Sequence, residues 1–245
     1  MAPAGLRVLD LGPGSEASPL ALHAHGFDVD GCDVWDESTM RAHAAKLPDP
    51  GPRLAAYDGE RLPYPDQYFV VVASMAVLEH VLDPNRLLLE ADRVLKPGGL
   101  QVHLAPNWAG PHVVVHAAAT LLSGHGRYWQ YSTWADVLAG CVRTLYWPVR
   151  ARYGRKPFIL VWPRMRGGRI QFERSDDDCV HLCCPSSLWR WFVEHQYSVI
   201  SRTAGTGQLW LARLVNRFAP AVATSNAVVA RKNEVSTHYV APDGG

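Results

Sequence analysis

Three carboxylates stand where they could do chemistry. Asp10 closes Val8-Leu9-Asp10 and runs into the turn Leu11-Gly12-Pro13-Gly14. Asp33 ends a second short segment, 21 residues after Gly12, and Asp58 with Gly59 ends a third, Tyr57-Asp58-Gly59. Glycines let a backbone approach a ligand closely, and the N-terminus of a following helix offers unpaired N–H groups. A carboxylate placed as Asp33 is can accept both hydroxyls of a ribose. Gly12-x-Gly14-x-x-Ala17 also satisfies the dinucleotide fingerprint in its G/A form, so the glycines alone do not separate cofactors. Asp10 does, because a carboxylate beside the turn repels a pyrophosphate and attracts an ammonium or sulfonium cation. Asp58 is placed to accept from an adenine amino group.

The elements that must carry these residues can be read from the apolar runs. Leu6 to Leu11 reads as a strand, followed by a helical stretch to His25 that Gly26 stops. Val29 to Val34, Arg53 to Tyr57 and Tyr68 to Ser74 read as the next three strands, the last fully buried. A helix over Arg86 to Leu95 is stopped by Lys96-Pro97-Gly98-Gly99, and Leu100 to Ala105 is the fifth strand. Strands alternating with helices at this spacing predict a parallel sheet covered on both faces, an α/β Rossmann-like domain. Ligands of such sheets bind at the carboxyl ends of the strands, where Asp10, Asp33, Asp58, Ser74 and Met75 all fall. His80 follows the fourth strand on that side and is a candidate general base; packing or capping of the next helix is the competing reading.

The alternation lapses for about 70 residues, from Asn107 to roughly Asp178, and so long an excursion is usually functional. It is rich in Trp and Tyr, and nine Lys/Arg lie between Arg143 and Arg174. Charge is segregated: residues 1–106 hold 8 Lys/Arg against 15 Asp/Glu, whereas residues 107–175 hold 10 against 2. The insert therefore either docks on the acidic body or meets something anionic, and its aromatics form either a small core or a binding platform. Regularity returns at Pro185-Ser186-Ser187 with a helix to His195, then strands over Ser198 to Thr203 and Ala227 to Lys232. The expected organisation is one domain from 1–106 and 176–232, an inserted acceptor-binding cap over 107–175, and a flexible tail over 233–245.

Other classes fit poorly. The longest apolar run, Val113 to Leu122, is too short to span a membrane, and no basic region leads into an apolar stretch at the N-terminus. Five cysteines, with Cys183 and Cys184 adjacent, suit a reducing cytoplasm better than a disulfide framework. Cys179, His181, Cys183 and Cys184 invite a metal reading, but vicinal cysteines seldom share one ion well, and no metal is expected.

Taken in order, VLDLGPG, GCD, YDGERLPYPDQYF, LEHVLDP and RVLKPGG resemble the class I S-adenosylmethionine-dependent methyltransferases, in particular the ubiquinone- and menaquinone-type group. HLCCPSSLWRWF and AVVARK are similar to that family's last helix and strand, while 107–175 is not covered. The resemblance implies a seven-stranded sheet of order 3-2-1-4-5-7-6 with only the last strand antiparallel. It implies S-adenosyl-L-methionine as cofactor, with Asp10, Gly12 and Gly14 at the methionine end and Asp33 at the ribose. Val34 or Trp35 would lie against the adenine, Asp58 and the Gly59 amide would read its edge, and Ser74 and Met75 would line the methionine side.

The chain departs from the family in three places: Glu16 replaces the third glycine, Phe69-Val70 replaces Phe-Asp, and the first strand starts near residue 6 with no helices ahead of it. The expected activity is methyl transfer to a small-molecule acceptor or a lipid- or glycan-linked one, anionic in keeping with the basic insert. Peripheral membrane contact would run through 143–174. A nucleic-acid acceptor is disfavoured by the lack of an Asn-Pro-Pro-Tyr-type tetrapeptide. The competing functions are a non-catalytic domain of the same fold and an NAD-dependent oxidoreductase.

Overall fold

The computed structural model describes residues 5–124, 131–160, 165–166, 169–170, 181–182, 185–204 and 225–234. In chain order the elements are β1 (Arg7–Leu11), α1 (Ala17–Ala24), β2 (Asp28–Asp33), α2 (Glu37–Ala44), β3 (Arg53–Ala56), β4 (Phe69–Met75), α3 (Pro84–Val94) and β5 (Leu95–Pro106). There follow α4 (Pro111–Leu122), α5 (Trp134–Tyr153), β6 (Ile159–Leu160), β7 (Met165–Arg166), β8 (Arg169–Ile170), β9 (His181–Leu182), α6 (Pro185–Glu194), β10 (Tyr197–Ala204) and β11 (Ser225–Lys232).

Seven strands form one sheet in the order β3-β2-β1-β4-β5-β11-β10. All pairings are parallel except those of β11, which runs antiparallel to both β5 and β10. This is the order and polarity that the resemblance implies. Four consecutive buried residues in β1, Val8 to Leu11, mark a strand covered on both faces. Helix α3 explains the covering of one face: Leu87, Leu88, Ala91 and Val94 fall on one side of it at helical spacing and are buried. Asp83 caps it by accepting from the Arg86 N–H at 3.1 Å, and Pro84 sits where a missing N–H costs nothing.

Lys96-Pro97-Gly98-Gly99 does not form a turn between α3 and β5. The strand starts at Leu95, paired with Phe69, and the register jumps to Val71 opposite Leu100. Residues 96–99 are thus a bulge within β5, made possible by Gly98 at φ +75°.

Two buried clusters organise the chain. One lies against the sheet, with Leu9, Phe69, Val72, Leu88, Trp191 and Phe192. The other belongs largely to the insert, with Trp108, Val113, Tyr131, Val137 and Trp147. Part of the insert's aromatic content is therefore a small core. Helix α5 opens on a capping box, in which Asp136 N–H donates to Thr133 Oγ1 at 3.2 Å and Thr133 N–H donates to Asp136 Oδ2 at 2.9 Å. It packs on α4 and α6, and Arg190 of α6 donates to the carbonyls of Ala151 and Gly154 at its end. Arg164, Arg174, Cys179, Cys183, Cys184 and most of the expected tail lie outside the described residues.

Candidate functional site at the carboxyl edge of the sheet

The parallel register brings Asp10 opposite Gly31 and Leu11 opposite Cys32, so the ends of β1 and β2 lie side by side. Gly12 N–H donates to Cys32 O at 2.8 Å, and Tyr57 N–H donates to Asp33 O at 3.0 Å, which carries the edge on to β3. Gly12 has φ +72°, and a Cβ there would lie 2.5 Å from Val77 Cγ2. A side chain is thus excluded both by backbone conformation and by the loop that follows β4. Gly14, at φ +66°, has nothing within 4 Å of a Cβ position, so open space lies above the turn.

Asp33 stitches this edge together. Its Oδ2 accepts from Gly14 N–H at 2.7 Å and its Oδ1 from Val34 N–H at 2.7 Å. Each oxygen keeps a lone pair for a further donor. Asp58 Oδ1 accepts from the N–H groups of Glu60 and Arg61 at 2.8 and 2.9 Å, which holds this carboxyl below its usual pKa. Gly59 faces Val34: a Cβ on Gly59 would lie 3.5 Å from Val34 Cγ1. Asp10, Gly12, Gly14, Asp33, Val34 and Gly59 are therefore brought together, with Asp58 beside them.

Asp10 is the unusual member. It is buried, and its Oδ2 has no hydrogen-bond partner. Burial raises its pKa, against the opposing effect of a hydrogen bond from Ser18, and the negative charge of Asp33 raises it further. A buried carboxylate oxygen without a donor is costly unless something supplies one. An ammonium group on a ligand held above Gly12 and Gly14 would do so. The residues at this edge thus fit the methionine end, the ribose and the adenine of S-adenosylmethionine.

Glu16, the residue in place of a third glycine, turns away from the loop. It pairs with His43 of α2 and accepts from Lys46 Nζ at 2.9 Å, and these bonds hold its carboxyl down to about 2. It ties α1 to the end of α2. Sequence reading missed this tie, because nothing local signals a partner 27 residues away.

Met75 is exposed at the end of β4, whereas the Ser74 hydroxyl is turned into the sheet, so its backbone is what faces the edge. It opens a buried chain of hydrogen bonds whose direction follows by elimination. Tyr197 O–H donates to Asp92 Oδ1 at 2.6 Å, and Gln101 Nε2 donates to Tyr197 O at 2.7 Å. Gln101 Oε1 is then the acceptor for His103 Nε2–H at 2.8 Å, and His103 Nδ1 accepts from Ser74 O–H at 2.7 Å. Lys232 Nζ closes the far end, 3.1 Å from Asp92 Oδ1. Full burial holds His103 neutral, its pKa pushed down to about 3. Nothing local in the sequence signals this chain, because it joins residues as far as 105 positions apart.

His80 lies in the loop after β4, half-buried, with its N–H donating to Val77 O at 3.0 Å. His181 clamps the same loop: its backbone N–H donates to Glu79 O at 3.0 Å and its Nε2–H to Leu82 O at 2.9 Å. Among the described residues no three His, Cys, Asp or Glu side chains converge as a metal site.

Residues 9–102 match the family model described as a methyltransferase domain. Residues 9–102 therefore form a methyltransferase domain, and the sheet around them has the fold of solved S-adenosylmethionine-dependent methyltransferases. Over 109 residues, 44% of this chain, the methyltransferase domain is 38% identical to an uncharacterized methyltransferase of Mycobacterium sp. (strain JLS), of which that stretch is 42%. It is 38% identical over 103 residues to a ubiquinone/menaquinone biosynthesis C-methyltransferase of Bordetella avium, covering 39% of each. The match thus spans about two-fifths of these relatives' length. The fold is that of a solved methyltransferase from Methanosarcina mazei (TM-score 0.55, 17% identity, 93% of this chain and 92% of that one). A second likeness is to one from Mesorhizobium loti (TM-score 0.53, 18% identity, 93% and 91%).

Proposed function

We propose that the protein is an S-adenosylmethionine-dependent methyltransferase acting on a small, lipid-soluble or lipid-linked acceptor. The observation that carries the reading is the buried Asp10 Oδ2 without a donor, beside a glycine turn that leaves open space above it. Asp10 would hold the ammonium of the methionine end, Asp33 the ribose hydroxyls, and Asp58 with the Gly59 amide the adenine edge, with Val34 beside the ring. When bound, the cofactor supplies a methyl group on a sulfonium centre. The chain's own part is to orient and desolvate, since in-line displacement depends most on positioning. Gly12 keeps the backbone close, and Val77 holds the loop after β4 over it.

His80 stands in that loop as the candidate base for an acceptor proton. The insert leaves from Pro106, the end of β5, and residues 107–175 would supply the acceptor cap. Relatives named for quinone methylation, from Bordetella avium and Synechocystis, support a hydroquinone-like acceptor over a purely water-soluble one. The test is transfer of labelled methyl from S-adenosylmethionine to a prenylated hydroquinone in detergent, with and without residues 110–170. Label in the hydroquinone with the full chain, lost in a truncated protein that still binds cofactor, supports both enzyme and cap. Cofactor binding without label in the hydroquinone or in lipid extracts contradicts the acceptor class, and full activity after truncation contradicts the cap.

A further inference from the structure

Helix α5 is apolar on two opposite faces. Its inner face, Val137, Gly140, Trp147 and Ala151, is buried in the insert's core. Its outer face carries Leu138, Val142, Leu145, Tyr146, Val149 and Tyr153, spaced i, i+4, i+7, i+8, i+11 and i+15, which is a single stripe along the helix. All six are exposed, Leu138, Val142 and Leu145 to 69%, 67% and 76%. A shallow groove of about 440 Å³ runs beside Val142, Tyr146 and Val149. Contiguous exposed apolar stripes of this length mark contact surfaces.

Charge says what the contact is. Arg150, Arg152, Arg155 and Lys156 are exposed at the end of this stripe, and none makes an ion pair with a described carboxylate. The sequence holds no Asp or Glu from 137 to 172, although residues 1–106 carry 15. A second copy of the chain would bring the same acid-free surface, leaving these cations without counter-charge. An anionic lipid surface supplies it and takes up the apolar stripe at the same time. No helix among the described residues is long and apolar enough to cross a membrane, so α5 would lie in the plane of the interface.

We propose that the outer face of α5 docks on the surface of an anionic phospholipid bilayer. Leu138, Val142, Leu145 and Val149 enter the acyl boundary, the Tyr146 and Tyr153 hydroxyls sit among the headgroups, and the four cations pair with lipid phosphates.

Vesicle binding needs neither cofactor nor acceptor, so its outcome is separate from that of methyl transfer. The full chain is sedimented with vesicles of phosphatidylcholine alone and of phosphatidylcholine with about a quarter phosphatidylglycerol. It should bind the anionic vesicles and leave them as salt is raised. Val142→Glu with Leu145→Glu should lower partitioning at least roughly tenfold while circular dichroism and cofactor binding stay unchanged. Arg150→Gln and Arg155→Gln, which leave the helix's inner face untouched, should each lower it about fivefold.

The proposal is overturned by failure of the full chain to bind anionic vesicles, or by equal binding to neutral ones. It is also overturned if the arginine variants bind as well as the parent. A dimer of the parent in ultracentrifugation that Val142→Glu/Leu145→Glu dissociates would assign the face to a second copy instead.

Discussion

Tyr197→Phe removes one oxygen from the middle of the buried hydrogen-bond chain and changes little else. In the native protein that oxygen accepts from Gln101 Nε2 and donates to Asp92. Gln101 is fully buried, and the ring of its partner Tyr197 packs beside Trp191 and Phe192. The substitution strands a Gln101 N–H, at a cost of ~1–3 kcal/mol, and deletes a bond to a carboxylate worth ~1.5–3 kcal/mol. Lys232 still neutralises Asp92, so part of the second loss is recovered. The expected destabilisation is therefore about 2–4 kcal/mol, or a fall in Tm of roughly 4–16 °C for a chain of this size. Urea unfolding followed by circular dichroism should give a lower midpoint at unchanged slope. Tyr153→Phe, at an exposed tyrosine, should stay within about 0.5 kcal/mol of the parent. If Tyr197→Phe is as stable as Tyr153→Phe, the chain is not a continuous hydrogen-bonded unit and the assigned direction is wrong.

His103 is held neutral with its pKa pushed down from 6.5 to about 3, so between those values the unfolded chain binds a proton that the folded chain refuses. Stability should therefore fall as the pH is lowered, by about 2 kcal/mol from this residue between pH 7 and 5; equal urea midpoints at the two pH values would contradict this. Asp10→Asn relieves a buried carboxylate, so Tm should rise or hold while cofactor affinity falls. In the parent, affinity should increase with pH through the raised Asp10 pKa, and a titration series with no pH dependence would speak against the ammonium contact. Gly12→Ala meets Val77 at 2.5 Å with φ at +72° and should weaken cofactor binding. Adding Val77→Ala should restore part of the loss, and full activity in Gly12→Ala would mean that the loop after β4 does not pack on the turn.

The first half of the fold was legible because β1 to β5 are short apolar runs separated by turn residues, and parallel pairing then puts Asp10, Asp33 and Asp58 on one edge. The strand order was not legible from periodicity. It came with the resemblance, because β11 enters between β5 and β10 through long-range pairing. The roles of Glu16, His103 and His181 were hidden for the same reason: each depends on a partner far along the chain. Glu16 read only as a departure from the glycine pattern, and nothing near it in the sequence pointed to His43 and Lys46 as its partners. The sequence placed His181 among cysteines without expecting a metal there, but it gave no sign of its two bonds to the loop of Glu79 and Leu82. The bulge at residues 96–99 misled in the opposite direction, since proline and glycine signal a turn whether or not the strand has already begun.

The central claim, that S-adenosylmethionine binds at the carboxyl edge of β1, β2 and β3, is tested most directly by calorimetric titration of the cofactor into the parent and Asp33→Ala. Asp33→Asn serves as a control that keeps an acceptor for the Gly14 N–H. Loss of a charge-assisted contact worth ~1.5–3 kcal/mol predicts affinity roughly 10- to 100-fold weaker in Asp33→Ala, with Asp33→Asn between it and the parent. Equal affinity in the parent and Asp33→Ala, or no binding to the parent at all, would contradict it.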